Sequence, residues 1–403
     1  MGSHSANFWC KGRVMMKIKY AIAPISLASA LALSACAGIG GSDTSKFLSI
    51  QDGRAALVDG VGKVGKAQDT LALVELKDDK LRLHSELVMP TSLVGPPASI
   101  AVLPDKKYAL VTAATKLDPS DSNKVISSDL ISLVALGNGK ESLKVVDTIS
   151  LGAGPSGLAV NRAGDLALVP NRAGGTVSVV EIKGQKLTEK QKITIGDKSG
   201  PSQVVITPDG RRALLTRDGD NQISILDING SNITLNKKTI YAGLKPYSID
   251  IDASGKYAVV GNLGGGQGDA DTISLINMSE EPPRVVDTLT VGQTPEGVSF
   301  SPNGKLIGVT VINGSNKPRS SPFYAEASYK LFGIQDGKLE YLSEVKGGHW
   351  LQGQAFTPDD RHVLVQDAYN QEIRLYKIDG KKVSDTGERL KMKAAPAAIR
   401  YWN

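Results

Sequence analysis

Cysteine and histidine are nearly missing from this chain. Its 403 residues hold two cysteines, Cys10 and Cys36, and four histidines, each isolated in the sequence. Two thiols exclude a disulfide-stapled scaffold, a four-cysteine zinc site and a cysteine-ligated iron–sulfur cluster. Single histidines argue against a histidine-rich metal centre. An excess of one charge is missing as well. The formal +6 comes from 47 basic and 41 acidic residues. Lys11, Arg13, Lys17 and Lys19 lie in an N-terminal stretch without acids, so residues 36–403 carry only 43 basic groups against 41 acidic. No Lys/Arg run remains to track phosphates, which excludes nucleic acid as a partner. At 41% hydrophobic the chain is neither disordered nor a multispanning membrane protein. It is long enough for two domains or one large repetitive one.

What is present begins with an address. Met15-Met16-Lys17-Ile18-Lys19-Tyr20 is a positive segment, and residues 21–33 are apolar but too short and too rich in Ala and Ser for a membrane span. The stretch ends in Leu33-Ser34-Ala35-Cys36, followed by Ala37-Gly38-Ile39-Gly40-Gly41-Ser42. This resembles the bacterial lipobox. The resemblance implies cleavage before Cys36 and a diacylglycerol on its thiol; Ala37 is similar to the residue of lipoproteins passed to the outer membrane. Residues 1–35 are then an export signal, with 1–14 an upstream extension, and residues 36–46 a lipidated Cys and flexible tether. The expected location is periplasmic or surface, with membrane contact through the lipid anchor only.

Residues 47–403 repeat. Pro155-Ser-Gly-Leu-Ala-Val-Asn-Arg-Ala-Gly-Asp aligns with Pro201-Ser-Gln-Val-Val-Ile-Thr-Pro-Asp-Gly-Arg, and the segments from Pro246 and Pro295 fall in the same register. Units start at 97, 155, 201, 246, 295 and 351, and a further first strand starts at 396. Each unit reads as an alternating strand, a tight turn such as Pro208-Asp209-Gly210, and a more apolar strand such as Ala213-Leu-Leu-Thr. A third alternating strand (Thr176-Val-Ser-Val-Val-Glu-Ile) and a polar fourth follow. Four antiparallel strands per 45 or so residues is the period of a β-propeller blade. A seventh unit occupies 47–96, including Ala55-Ala-Leu-Val-Asp. Phe47-Leu-Ser-Ile and the C-terminal Pro396-Ala-Ala-Ile-Arg both suit its inner position. The C-terminal strand carries the repeat's Pro and is assigned there. The fold expected is all-β: a seven-bladed β-propeller, four antiparallel strands per blade, its first blade closed by the C-terminal strand.

Leu168-Val-Pro-Asn171, Val259-Val-Gly-Asn262 and Leu364-Val-Gln-Asp367 resemble degenerate YVTN repeats, and Thr176–Ile182 matches the usual continuation. The resemblance covers residues 47–403. It implies a secreted or surface propeller, similar in fold to the 6-phosphogluconolactonase-type lactonases and the amine-dehydrogenase propeller. It specifies blades rather than chemistry.

In such a ring, the loop between second and third strands and the link between blades share one face. The insertions Ala114–Ser128, Val311–Ala327, Leu263–Ala270 and Val61–Gln68 all fall in that slot, which marks a binding face. Val311–Ala327 carries Lys317, Arg319, Phe323 and Tyr324, a partner-contacting set; Ala114–Ser128 reads as a solvated flap. The links place His349, Trp350 and Gln352 near the channel mouth, with Glu296 just after Pro295. The ends of second strands add Asn171, Arg172, Arg217, Asp218, Asn262, Asp367 and Tyr369. A His, a Trp, an acid and several amides around one mouth suit a small polar ligand. Packing is the other reading of His349-Trp350, the Trp filling the gap left by the lost Pro.

Other motifs carry less. Gly152-Ala-Gly-Pro-Ser-Gly and Gly60-Val-Gly-Lys-Val-Gly spell a nucleotide-binding pattern, but no helix follows to hold a phosphate. Asp218, Asp220, Asp269 and Asp271 offer oxygens without the spacing of a known calcium loop. No cofactor is required; Ca²⁺ or Mg²⁺ is the one to test. The tryptophan docking repeats of quinone-binding propellers and a Gly-x-Ser-x-Gly elbow are absent. Lactonases of this group resemble one another in a Pro-Arg-His-like start to an inner strand. Here those positions read Pro-Ser-Gly, Pro-Ser-Gln, Pro-Tyr-Ser, Pro-Glu-Gly and Leu-Gln-Gly. A lactonase would then use His349 as base, Glu296 as its partner, and Arg217 or Arg172 on the carboxylate.

The sequence favours a lipid-anchored, monomeric binding module whose loop face takes an envelope protein or a small polar ligand. Trp350, Gln352, Arg172, Asn171, Asn262, Asp367 and Tyr324 are its expected contacts. The alternative is a lactone hydrolase at the channel mouth.

Overall fold

The computed structural model describes residues 44–137 and 142–402. Cys36 and the export segment lie outside the described residues. Seven four-stranded antiparallel sheets account for the ring, and the described residues contain no helix. The innermost strands are Ile100–Val102, Ala159–Val160, Pro201–Ile206, Pro246–Ile251, Pro295–Phe300, Leu351–Phe356 and Ala395–Tyr401. They belong in that order to blades 2 to 7 and to blade 1. Blades 2 to 7 run outward from their inner strands in chain order; in blade 1 the inner strand comes last in the chain and the other three follow outward in order.

The sequence pattern explains this layering. Second and third strands are apolar on consecutive residues because both of their faces meet a neighbouring blade. Leu168 and Val169, or Leu364 and Val365, are fully buried, facing opposite ways. The core is accordingly seven apolar clusters, one between each pair of adjacent blades. Fourth strands such as Lys186–Thr194 bury alternate residues and carry charges on the rest. Every blade has a register shift between its third and fourth strands. Bulges and lysines there blunt the exposed outer edges.

Several turns between first and second strands use one device. Asp209 accepts the Arg211 amide while Gly210 takes φ 71°, and Asn303 and Gly304 repeat the pattern. Struts then tie blade to blade. Thr112, Thr216 and Thr310, on second strands, donate to the carbonyls of Ser156, Tyr247 and Gln352 on the next inner strand, at 2.6–2.8 Å. Gln366 makes the same bond to Ala398. These hydroxyls and amides answer inner-strand carbonyls that would otherwise be buried without partners.

Blade 1 closes the ring as expected. Ala395–Tyr401 takes the inner position and Ser45–Asp52 the second, with Phe47 opposite Tyr401. Trp402 donates its amide to Lys46 and its indole N–H to Lys106 of blade 2. Three details differ from the sequence reading. The first strand begins at Ser45, inside the segment read as tether, because Ser45 and Lys46 pair with Leu76 and Glu75. Ala55–Val58 is not a blade strand: it pairs with Val61–Val64 as a hairpin between the second and third strands. Its Asp59-Gly60 turn has φ 50° and 73°, the mirror-image geometry that two-residue hairpins favour. Finally, Ala114–Ser128 is no loose flap but an extension of the second and third strands of blade 2, paired as far as Asp118 and Asp121.

Candidate functional site

Inner strands begin at the loop-bearing face, so the first residue after each repeat Pro surrounds the channel mouth there. In chain order these are Ala98, Ser156, Ser202, Tyr247, Glu296, Gln352 and Ala397. Five blades also share a left-handed residue just before the inner strand: Gly154, Gly200, Lys245, Thr294 and Trp350. That bend swings each link into the channel mouth and fixes what stands there.

One cluster converges at this mouth. Arg172 binds Asp218 through Nε and Nη2 and lies over the Tyr247 ring, 5.9 Å from its centre. Ser202 donates to the same Asp218 at 2.8 Å. Glu296, on blade 6, is 7% exposed, and no hydrogen bond to its carboxyl occurs among the described residues. Burial pushes its pKa up to about 8, and the Arg172 charge offsets only part of that cost. Burial also holds the Tyr247 hydroxyl well above its ordinary value, helped by the Glu296 charge. The arrangement is a protonatable carboxyl on blade 6, a phenol on blade 5 and a guanidinium from blade 3, the last held by Asp218 of blade 4. Such a set can pass a proton and hold a developing negative charge.

The link of blade 2 reaches into the channel from the same side. The Gly95 amide faces the Tyr247 oxygen, and a Cβ on Gly95 would sit 2.2 Å from Ser156 Oγ. Pro97 packs against Gly297 of blade 6 and accepts from Arg400 of blade 1 at 3.3 Å. Gly95–Pro97 therefore lies across the channel and separates its two ends.

His349 belongs to a second cluster, at the rim. Its Nε2 meets the Tyr324 hydroxyl at 2.8 Å and Arg319 at 3.3 Å, while Nδ1 meets Asn370 at 3.3 Å. His349, Tyr324 and Arg319, with Tyr369, Lys317, Ser315 and the Asp59-Gly60 turn, line a cavity of about 130 Å³. The long insertion of blade 6 and the blade 1 hairpin thus meet over the blade 7 link. Trp350 donates its amide to Ser315 and takes φ 56°, so its backbone anchors this junction.

The expected site residues therefore divide. Arg172 and Glu296 come together; His349 and Tyr324 come together; no hydrogen bond or ion pair joins the two pairs among the described residues. Arg217 pairs with Asp220 and Ser224 and meets neither group. Asn171, Asn262 and Asp367 are fully or nearly fully buried and serve their own blades. Asn171 bonds Ser178, Asn262 bonds Ser274, and Asp367 takes Arg374 and the His349 amide. Gln352 is buried with its Oε1 unbonded. Asp271, one of the oxygens weighed for Ca²⁺, accepts the Thr294 amide, and no group of three metal-ligating side chains occurs among the described residues. Sequence reasoning missed Tyr247. Its signal was present: Pro246-Tyr and Pro295-Glu occupy the same register of adjacent repeats, which places both at the mouth.

The face itself is unusual. Eleven large apolar side chains are exposed among the described residues. Nine of them, including Val58, Val94, Tyr241, Leu244, Phe323 and Tyr369, stand on the insertions, on the links or at the strand ends that lead into them, all on this one face.

No protein-family model and no curated protein matches the chain by sequence. Solved structures do match. A protein of Bacteroides fragilis described as a candidate 6-phosphogluconolactonase superposes with a TM-score of 0.71 at 18% identity, over 90% of this chain and 99% of that one. The periplasmic gluconolactonase of Pseudomonas aeruginosa gives 0.66 at 14% identity, over 89% and 99%. Kuenenia stuttgartiensis hydrazine synthase gives 0.56 at 20% identity, over 72% and 79%. Likeness at such identities is likeness of fold, and the third name shows how far chemistry varies on it. The chain is a seven-bladed β-propeller whose structural neighbours include 6-phosphogluconolactonase-like and gluconolactonase propellers.

Proposed function

We propose that this propeller hydrolyses a small lactone at the channel mouth of its loop-bearing face. Glu296 carries the reading: a buried carboxyl with no hydrogen bond, raised to about 8, beside Arg172 and Tyr247. The gluconolactonase among the structural neighbours supports the substrate class. Ionised Glu296 takes a proton from water as the water oxygen bonds the lactone carbonyl carbon. The oxyanion that forms is met by Arg172 and the Tyr247 hydroxyl. On collapse the ring C–O bond breaks, and Glu296 returns the proton to the departing oxygen. Lactone and water become one hydroxy acid.

The test is turnover of sugar and aliphatic lactones by the full chain. Glu296→Gln should lower kcat about 10²- to 10⁴-fold, the usual contribution of a positioned acid–base group. In the wild type, kcat/KM should rise with pH to a midpoint near 8, because the ionised carboxyl is the active form. A folded sample without turnover, or one indifferent to Glu296→Gln, overturns the proposal.

A second reading rests on the nine apolar side chains that share one face. Exposed apolar residues so concentrated suit a protein partner, and the face would then act as an interaction module of the cell envelope. Capture that survives Glu296→Gln but is lost when residues 314–324 are trimmed would favour it. Export, and lipid attachment at Cys36, belong to both readings. Cys36→Ser should abolish incorporation of labelled fatty acid, and label retained by that variant would sink the anchor.

A further inference from the structure

The channel has a second chamber, at the end away from the long loops. Its cavity is about 300 Å³, within the range of small-ligand sites. Arg400, Asp250, Ser299, Phe300 and Phe356 are among its walls, and exposed Pro302 stands at its edge.

Arg400 is the informative residue. Its Nη1 donates to the carbonyls of Ile399 and Pro97, at 2.8 and 3.3 Å. Nε and Nη2 have no bond, and no carboxylate lies within ion-pair distance of the guanidinium among the described residues. Two other largely buried arginines do have such a partner: Arg172 has Asp218 and Arg374 has Asp367. A guanidinium held inside a propeller without an anion is costly unless something supplies one.

Asp250 faces the same space from blade 5. It accepts the Phe300 amide at 2.8 Å and the Ile251 amide at 2.9 Å, and it feels the Arg400 charge without touching it. Its oxygens keep capacity for a further donor. Ser299 adds a hydroxyl with no partner. Phe300 and Phe356 supply apolar walls between these polar points.

We propose that this chamber binds a small hydroxylated carboxylate, its carboxylate on Arg400, a hydroxyl donating to Asp250 and its carbon chain against Phe300 and Phe356. The Gly95–Pro97 link divides this chamber from Glu296, so the site is separate from the channel mouth and does not rest on the hydrolase reading.

Calorimetric titration of the full chain with gluconate, glucose and butyrate tests it. Gluconate should bind one to one, and glucose and butyrate at least tenfold more weakly, since each lacks one of the two recognised groups. Arg400→Met should abolish binding and Asp250→Asn should weaken it at least tenfold. Should Arg400→Met fail to fold, Ser299→Leu fills the cavity while leaving both charges and should abolish binding too. A hydroxy acid is also what lactone opening would release, so Glu296→Gln is the control that separates the two ends. Gluconate affinity unchanged in that variant supports the lower chamber. No binding by folded wild type, or binding lost with Glu296→Gln and retained with Arg400→Met, overturns the proposal.

Discussion

Glu296 sets a cost as well as an opportunity. An exposed glutamate titrates near 4.5, whereas burial raises this one to about 8. Between those values the folded chain holds a proton that the unfolded chain releases, so stability falls as pH rises through the window. At roughly 1.4 kcal/mol per pKa unit, the effect amounts to a few kcal/mol. Glu296→Gln keeps the shape and removes the proton. Urea midpoints at pH 5 and pH 9 should diverge for the wild type far more than for the variant. Equal divergence would mean that Glu296 is not the buried acid described here. Asp69 and Asp250, each raised to about 6, contribute in both proteins and cancel in the comparison.

At the scale of the element, the bend before each inner strand decides which residues reach the channel. Gly200 occupies it in blade 4 at φ 59°, and a Cβ there would lie 2.5 Å from Asp218 Oδ1. Gly200→Ala should therefore cost about 1–3 kcal/mol from backbone strain and loosen the Asp218–Arg172 pair. Lys245 holds the same bend in blade 5 at φ 53°, on the surface. Lys245→Gly should be neutral or mildly stabilising. Thermal melts of both variants check the pair, and equal losses would refute the strain argument. These bends also show what the sequence could and could not reveal. Strand periodicity and the Pro register placed six blades and the closing strand, because alternating burial and turn chemistry are local. The first blade was harder: Ala55–Val58 has strand composition, yet its partner is a hairpin mate rather than a blade neighbour. Convergence across the channel is set by ring curvature, which no local pattern carries. Hence the sequence brings Glu296 to the mouth with His349 as its partner and Arg217 or Arg172 beside it, and leaves out Tyr247, whereas in the ring Glu296 stands with Arg172 and Tyr247 and His349 lies at the rim. Asn171 and Asn262 looked like site residues because a polar side chain that pins two strands of one blade has the same sequence appearance as one that meets a ligand.

For the whole ring, stability is shared among seven equivalent interfaces but closure depends on one. Deleting residues 395–402 removes the partner of Ser45–Asp52 and exposes Leu48 and Ile50, which are fully buried in the closed ring. The shortened chain should lose its single cooperative unfolding transition and self-associate through the open edge. A peptide of residues 395–403 added in trans should reverse that self-association in sedimentation experiments. A truncated chain that sediments and melts as the intact one does would show that closure contributes little.

That closure also imposes a timetable. Phe47 pairs with Tyr401, about 350 residues later, so the earliest-made segment of the ring waits for the last. Contacts at such separation form slowly. A chain emerging from its N-terminal end can stack blades 2 to 7 as they appear, but it holds an incomplete blade 1 until Ala395–Tyr401 has been made. Until then it keeps one sticky edge and no locked shape. Premature termination anywhere before residue 395 leaves that edge open, and quality-control proteases would meet every such product as an unfinished ring.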